Sequence, residues 1–433
     1  MQVDSTHPGY ADAAAKWARA RDVLAGEDAV KAAGDKYLPR LDSQSEEEYS
    51  AYKARASFFG ATARTLEEYL DLVFRRTPVV TIGECLKAFV AECDVWGLDF
   101  VRYARRVVSE VLGLGRAGSL VLCEQGGRPI VSLCRAEDIV NWKAQRVGSA
   151  EALVEVVLRD GVRMRVLRLV EGSCVQELWN QTDGDWVSYE RVTLRREGVP
   201  LSFIPFVFHG PRDSRPEPDR LPLADIIAAN LDHYRLDADY KHGLHFAALP
   251  TAWVSGFDKA APLRIGSSTA WVSEVPGASA GFLEFTGAGL AHLERAIEKV
   301  ERRMALLGAR MLEGTSVPAT SSAAAAGVGG ELCGLGSVVA SLNESLSRVL
   351  RLAQWWIQGG DLEAQTASFT MNSDLAARAM SGEEIAAVVA AWRAGAISRE
   401  TMLDRLKRVE VLPDGRSVAQ ERALIHGKLR VES

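Results

Sequence analysis

A chain of 433 residues is long enough to bury several hydrophobic cores, so roughly two to four structural modules are expected. Its hydrophobic share of 47% and charged share of 25% are those of an ordinary globular protein. The net charge of −6 argues against tight non-specific DNA binding, because proteins that neutralise many phosphates are basic, but it leaves weak contact with DNA open.

The cysteines and the hydropathy pattern indicate a reducing, cytosol-like environment. The six cysteines show no C-x-x-C spacing and no paired histidine cluster, so we expect reduced thiols, no metal and no cofactor. Every apolar run falls short of the roughly 20 residues that span a bilayer. The N-terminal residues also lack the apolar centre of a signal peptide, so no membrane partner is expected.

The first hundred residues predict helices. We expect an amphipathic helix over 11–24 and a second helix over 45–76, which ends before Thr77-Pro78. A third helix is expected over 82–112, with an interruption near Gly97.

From residue 119 the pattern changes to short strands separated by Gly- and Asp-bearing turns. Residues 136–143 predict a short helix or turn, and residues 203–208 predict one more buried strand. A Pro-rich connector then leads to a helix over 223–246 and a small β module over 247–289.

A long helix over 291–313 carries an apolar seam, which predicts packing of helix on helix. At spacings of three and four residues, the seam consists of Leu290, Leu293, Ile297, Val300, Met304, Leu307 and Met311. The other faces are charged, and Glu298 and Arg302 predict an i,i+4 ion pair on a solvated face.

Residues 314–330 have no apolar period and predict a mobile loop of small residues. A second seam helix follows, with apolar residues from Leu335 to Trp356. Because structureless loops of this length are usually functional or disordered, this loop is the first place to look for function. Beyond it we expect a strand-like run at 367–372, a helix that opens at Ser381 with a capping box, and a last helix from Ser398.

Two glycine motifs match known site patterns but stand in the wrong context. The G-x-G-x-x-G from Gly113 to Gly118 needs a strand before it and a helix after it to cradle a phosphate, whereas here the predicted order is inverted. The G-x-S-x-G around Ser279 lies between strand-like runs, where a hairpin turn is expected rather than a nucleophile elbow.

His242 and His245 lie at i and i+3 with Asp239 one turn back, a spacing that would suit a zinc site. The sequence places no third strong ligand, so a solvated or subunit-facing polar stripe is the preferred interpretation. Trp253 and Trp271, each in an A-W-V-S context, pack within the small β module or contact a partner.

Several stretches of the chain carry a resemblance to a known family. They are HPGYADAAAKWARARDVLAGEDAVKAAGDKYLPRL, EEYSAYKARASFFGATARTLEEYLDLVFRR, GRPIVSLCRAEDIVNWK, FIPFVFHG, LDHYRLDADYKHGLHF, PTAWVSG, IGSSTAWV, GFLEFTG, LGARML and WRAGAISRETMLDRLKR. Taken in order, from His7 to about Arg408, they resemble the portal protein of tailed bacteriophages, a head-tail connector, and a portal-like family of phage head gene modules.

The resemblance implies an α+β, mainly helical portal fold built from named modules. These are an N-terminal helical and β-rich wing (1–222), a first stem helix (223–246), a small α/β clip (247–289), a second stem helix (290–313), a tunnel loop (314–330), a wing helix and strand (331–375) and a C-terminal helical crown (376–433). The tunnel loop departs from the family pattern, because it offers no aromatic or basic residue to grip DNA.

The resemblance also implies which residues serve which role. Those near DNA in the tunnel loop would be Gly314, Thr315, Ser316, Thr320, Ser321 and Ser322, and those lining the channel on the stem helix Lys299, Glu301, Arg302 and Arg303. The packing or oligomer seam would be Leu293, Ile297, Val300, Met304, Leu307 and Met311, and the clip residues that touch a partner Trp253 and Trp271.

A portal of this family is a ring of about twelve identical subunits at one vertex of the capsid, through which double-stranded DNA is packaged and ejected. The expected partners are therefore other copies of the chain, weakly held DNA, the terminase large subunit, a head-tail adaptor and the major capsid or scaffold protein. The expected location is the virion, after assembly in the host cytoplasm.

Two other functions compete with the portal. One is a head-completion or scaffold-interacting protein without a DNA channel. The other is a nuclease or hydrolase that uses the neighbourhood of His242 and His245. Because the sequence offers no acid/base pair, nucleophile constellation or metal cluster, we expect no enzyme activity.

Overall fold

The computed structural model describes residues 3–123, 127–147, 150–247, 251–257, 271–283, 289–313, 334–372, 382–408 and 420–424. These residues form a mixture of helices and antiparallel sheets, which confirms the predicted α+β class. The chain divides into two compact units. Unit 1 comprises Met1–Ala14, Leu66–Pro222 and Ala309–Ser433, and unit 2 comprises Ala15–Thr65 and Leu223–Gly308.

The helices are α1 (Pro8–Ala25), α2 (Glu27–Ala32), α3 (Glu46–Arg55), α4 (Ala61–Phe74), α5 (Lys87–Ala91), α6 (Phe100–Leu114), α7 (Ala224–Ala247), α8 (Leu290–Glu313), α9 (Leu335–Gln358), α10 (Gly382–Arg393) and α11 (Arg399–Arg408). The strands are β1 (Val79–Thr81), β2 (Ala117–Cys123), β3 (Pro129–Arg135), β4 (Ile139–Val147), β5 (Ala150–Asp160), β6 (Arg163–Val170), β7 (Ser173–Thr182), β8 (Asp185–Thr193), β9 (Arg195–Arg196), β10 (Val199–Pro200), β11 (Phe206–His209), β12 (Thr251–Ser255), β13 (Ser279–Leu283) and β14 (Ser368–Thr370).

Unit 1 is organised around two antiparallel sheets. Strands β4 to β8 form a five-stranded meander in chain order, and β11, β2 and β3 form a three-stranded sheet with β2 in the centre. Inward-facing apolar residues of the meander, such as Val140, Val157 and Val166, form a core that also takes in Val3 from the N-terminal segment. The alternation of these residues along the strands is what an antiparallel sheet with one buried face requires.

Helix α9 packs in the core of unit 1 along its whole length. The side chains of Leu335, Val339, Leu342, Leu346 and Val349 are all fully buried. Its far end is fixed by a hydrogen bond from the Trp356 indole Nε1 to the carbonyl of Val121, at 3.0 Å. The predicted second seam helix is therefore confirmed as a core helix.

Buried polar groups tie four elements of unit 1 together. The Tyr103 hydroxyl lies 2.5 Å from Ser119 Oγ, which lies 2.6 Å from His209 Nε2. On the other side of the ring, His209 Nδ1 lies 2.8 Å from Ser345 Oγ of α9. Because burial disfavours the imidazolium, it lowers the pKa of His209 to about 3, and the ring is neutral.

In unit 2, helix α3 is held against α7. Ser45 caps α3 in a capping box with Glu48. The Tyr52 hydroxyl donates to Asp239 Oδ1 at 2.5 Å. Two residues after α3, the Ser57 backbone N–H donates to Asp237 at 2.7 Å.

The structure corrects several predicted boundaries in the N-terminal half. The helix predicted over 45–76 is two helices, α3 and α4. The chain is extended at Ala56 between them, and Ser57 bonds to α7 instead of continuing α3. The helix predicted over 82–112 is a 3₁₀ turn, the short α5 and the separate α6.

Two further predictions, one of a helix or turn and one of a strand, were partly wrong. Residues 136–143, predicted as a short helix or turn, are a single 3₁₀ turn followed directly by β4. The strand predicted over 203–208 begins only at Phe206.

Of the described cysteines, Cys93 and Cys174 are buried, whereas Cys85, Cys123 and Cys134 are only partly buried. Cys93, Cys134 and Cys174 are unbonded thiols whose pKa burial raises to about 12, which keeps them protonated and unreactive. Among the described helices, none combines the length and apolar character that a bilayer crossing needs.

Candidate functional site: the α7–α8 pair and the small β module

Helix α7 and the part of α8 in unit 2, residues 290–308, contact each other at two points and run in opposite directions. Leu290 at the start of α8 covers Gly243 near the end of α7, where an added Cβ would lie 2.7 Å from the leucine Cδ2. Further along, Glu301 Oε1 lies 3.4 Å from His233 Nε2. Ten residues of α7 and eleven of α8 separate these contacts, roughly 15 to 17 Å of helix, and the contacts occur in opposite chain order, so the two helices are antiparallel.

The apolar seam of α8 is graded in exposure. In its first half, Leu293, Ile297 and Val300 are only half-buried. In its second half, Met304, Leu307 and Met311 are buried, with exposed fractions of 6%, 4% and 2%. The predicted seam is thus a real stripe on the helix, but the chain itself covers only the second half.

The charged faces of α8 are exposed. Arg302 Nη2 and Glu298 Oε2 form the predicted i,i+4 pair at 2.9 Å, and Lys299 and Arg303 lie in solvent. Glu301 is also exposed, although its carboxylate is directed to His233 of α7. The predicted channel residues therefore lie on the solvated surface of α8, and their placement along a channel stays a prediction.

The small β module contains a two-stranded antiparallel sheet of β12 and β13. Trp253 faces Gly281 across the pair, and a Cβ on that glycine would meet the indole Nε1 at 2.8 Å. The indole lies over the glycine, yet it stays 41% exposed. Trp253 therefore packs within the module and still offers an aromatic surface, while Trp271 is half-buried.

His242 and His245 do not form a metal site with their neighbours. Within the described residues, no group of three His, Cys, Asp or Glu side chains is placed to hold a metal ion. His242 Nδ1 lies 3.3 Å from the Arg55 guanidinium, and burial followed by this positive charge lowers the pKa of the histidine. His242 thus belongs to the α3–α7 contact rather than to a solvated stripe, whereas His245 is exposed.

Of the two glycine motifs, only the one from Gly113 to Gly118 has the predicted context. Gly113 lies in α6, Gly115 is its left-handed C-cap with φ of 75°, and Gly118 lies in β2. A helix therefore precedes the motif and a strand follows it. Ser279 lies in a strand instead of a hairpin turn, and residues 271–274 before it form no strand. It opens β13 directly after a turn at Gly277, so it stands on no nucleophile elbow.

The tunnel-loop residues predicted to lie near DNA, 314–330, fall outside the described residues, as does Ser381 with its predicted capping box.

Sequence reasoning missed two buried features of unit 1. One is the Tyr103–Ser119–His209–Ser345 network, in which bonded partners are separated by up to 136 residues and carry no local spacing signal. The other is Arg116, which is 1% exposed although it stands in a glycine-rich stretch typical of a surface turn. The only sequence signal for Arg116 was the glycine motif around it.

A family model for a domain of unknown function, DUF4055, matches residues 222–357. This stretch runs from α7 to the end of α9 and is less than half of the chain. No curated protein matches the chain.

Solved structures supply structural neighbours. The chain is similar to the neck of an empty GTA particle computed with C6 symmetry, at 14% identity and a TM-score of 0.42, covering 84% of this chain and 89% of the other. It is also similar to the neck of a native GTA particle computed with C12 symmetry, at 15% identity and a TM-score of 0.41, covering 87% of this chain and 96% of the other. A third similar structure is the virion of a native gene transfer agent particle, at 15% identity and a TM-score of 0.43, covering 90% of this chain and 99% of the other.

The structural neighbours are therefore the neck and virion of gene transfer agent particles. Because the identities are below 25% and the TM-scores below 0.5, these neighbours carry no argument about this chain's detailed fold or its function.

Proposed function

We propose that the chain is a portal protein, the subunit of a ring at one capsid vertex through which double-stranded DNA enters and leaves. The observation that carries this proposal is the order of elements from 224 to 358. An antiparallel helix pair, α7 and α8, brackets a small β module, and a third long helix, α9, follows the predicted loop. This is the order of stem, clip, stem, tunnel loop and wing helix that the sequence resemblance implies.

The graded seam of α8 supports assembly into a ring. In the single chain the stripe is half-exposed at Leu293, Ile297 and Val300. Covering these apolar side chains with another surface removes them from water, which lowers the free energy. In a heterologous ring, one face of each subunit meets a different face of the next, so a single exposed stripe is enough. We propose about twelve subunits, as the family resemblance implies.

The charges support passage of DNA rather than tight binding. Each subunit brings a net charge of −6, and a ring multiplies it. Along the exposed part of α8 the signs alternate, from Glu298 and Lys299 to Glu301 and Arg302. Phosphates that slide past such a surface meet no continuous basic track to hold them.

In this proposal the terminase motor, a head-tail adaptor and the capsid or scaffold protein dock on the ring, which stays in the virion. ATP hydrolysis belongs to the motor and not to this chain. Trp253, on the exposed face of the small β module, is the candidate contact for one of these partners.

Electron microscopy of the purified chain tests the proposal. We expect closed rings with a central hole at least as wide as a DNA duplex. Rings without a hole, or single chains at every concentration, would contradict it.

A second candidate is a head-completion or scaffold-interacting protein without a channel. The observation in its favour is that Met304, Leu307 and Met311 are already buried in the single chain and so contribute nothing to a ring. The same micrographs decide between the two, because this candidate predicts no hole.

A further inference from the structure

A cavity of about 200 Å³ lies in unit 1, where the connector after β11 passes the end of α6. Its wall includes Gly115 and Arg116 from the glycine motif, and Arg212, Glu217 and Asp219 from the connector. The left-handed Gly115 lets the connector backbone approach closely, since a Cβ there would lie 3.0 Å from the carbonyl oxygen of Arg220.

Arg116 is a buried cation whose hydrogen bonding is incomplete. Its side chain is 1% exposed, stacks 3.9 Å over the Trp142 ring, and donates from Nη2 to the carbonyl of Pro216 at 2.5 Å. Nε and Nη1 are also buried and have no acceptor in the part of the chain that the structure describes. Each buried donor without a partner costs on the order of 1–3 kcal/mol, so an added hydrogen-bond acceptor at this guanidinium would be stabilising.

Arg116 also has no carboxylate within ion-pair distance among the described residues. Burial lowers the pKa of Arg116 to about 9, and the nearby negative charge of Glu217 partly opposes this. The side chain is therefore positively charged at neutral pH. Such a charge normally has a counter-ion when it is buried.

The other charges of the cavity are already engaged with one another. Arg212 Nε lies 3.8 Å from Asp219, and Arg215 Nε lies 3.4 Å from Asp213. His209, also in the wall, is neutral, and both of its ring nitrogens bond to serines elsewhere. The charged residues of the cavity wall outside these two ion pairs are the buried Arg116 and the exposed Glu217.

We propose that this cavity is a binding site for a small oxyanion, a carboxylate or a phosphate, held by Arg116, with Glu217 as its internal competitor. The oxyanion supplies the acceptor and the negative charge that the buried guanidinium lacks. Glu217 lowers the affinity because its charge repels the ligand. This inference does not depend on the portal proposal.

Isothermal titration calorimetry with inorganic phosphate and with acetate tests the site, with sodium chloride added to equal ionic strength. We expect millimolar binding to the full chain and about fivefold tighter binding to Glu217→Gln, which removes one nearby negative charge. The ratio of the two affinities tells whether the site prefers phosphate or a carboxylate. Either preference supports the proposal.

Variants of arginine complete the test. Arg116→Gln is expected to abolish binding, while the matched control Arg102→Gln, at an exposed position of α6, leaves it unchanged. Circular dichroism reports whether Arg116→Gln folds. If it does not, Glu217→Gln decides alone. The proposal is overturned if neither the parent nor Glu217→Gln binds either anion, or if a folded Arg116→Gln binds as well as the parent.

Discussion

Helices α8 and α9 have the same length and the same kind of apolar seam, yet only one of them is a core helix. Every large seam residue of α9 from Leu335 to Val349 is fully buried, whereas the seam of α8 passes from half-exposed at Leu293 to buried at Met311. The spacing of apolar residues by three and four thus tells which face of a helix is buried in a contact. It does not tell whether that contact lies within the same chain. The uncovered part of α8 is the surface on which the proposed ring assembly depends.

The largest effect is expected in α9. Leu342→Ala removes a fully buried side chain from the core of unit 1 and is expected to cost about 2–5 kcal/mol of unfolding free energy. Urea denaturation measures the loss. Arg348→Ala, on the exposed face of the same helix, is the control and should change stability by less than about 0.5 kcal/mol.

The two halves of α8 should differ when tested in the same way. Leu307→Ala, at a buried position, is expected to destabilise the single chain clearly more than Ile297→Ala, because Ile297 is still partly in water. Denaturation of dilute protein, where the chain is not assembled, measures both. Equal losses would mean that the exposure gradient along α8 has no energetic meaning.

The sequence predicted what depends on local pattern. The seams of α8 and α9 and the inverted context of the Gly113 motif follow from spacing and turn chemistry, and the structure confirms them. The break between α3 and α4 was missed because its cause is distant. Ser57 bonds to Asp237, 180 residues further along the chain.

One strand and one buried side chain were missed for the same reason, because their partners lie far away in the sequence. β1 was missed because β14, its partner among the described strands, lies far along the chain, where Phe369 pairs with Val80. Arg116 was missed because burial of a cation depends on Trp142 and Pro216, which no local pattern connects to it.

The polar tie between α9 and the rest of unit 1 predicts a dependence on pH. The pKa of His209 is about 3 in the folded chain, against an ordinary value of 6.5, so the unfolded chain takes up a proton first as the pH falls. The contribution of neutral His209 to the free energy of unfolding is fully present above pH 6.5. It is lost progressively as the pH falls toward 3, at about 1.4 kcal/mol per pH unit at most.

Denaturation of the parent and of His209→Gln between pH 7 and pH 5 measures this slope. The parent should lose stability more steeply, because other groups, including the partly buried His7, titrate alike in both proteins. Parallel curves would show that His209 is protonated in the folded chain.

The smallest effect is expected for substitutions of the α7 histidines, which should change neither ATP hydrolysis nor DNA cleavage. The purified chain should neither hydrolyse ATP nor cut DNA, and the double variant His242→Ala, His245→Ala should be indistinguishable from the parent in both assays. Activity that co-purifies with the parent and vanishes in this variant would favour the hydrolase hypothesis over the portal.

The central claim is that assembly covers the half-exposed part of the α8 seam, and sedimentation velocity tests it most directly. We expect ring-sized particles from the parent and single chains from the double variant Ile297→Asp, Val300→Asp, with the thermal unfolding of unit 1 unchanged. Leu306→Asp, at an exposed apolar position off the seam, is the matched control and should assemble like the parent. A double variant that still forms particles of the parent's size would contradict the account.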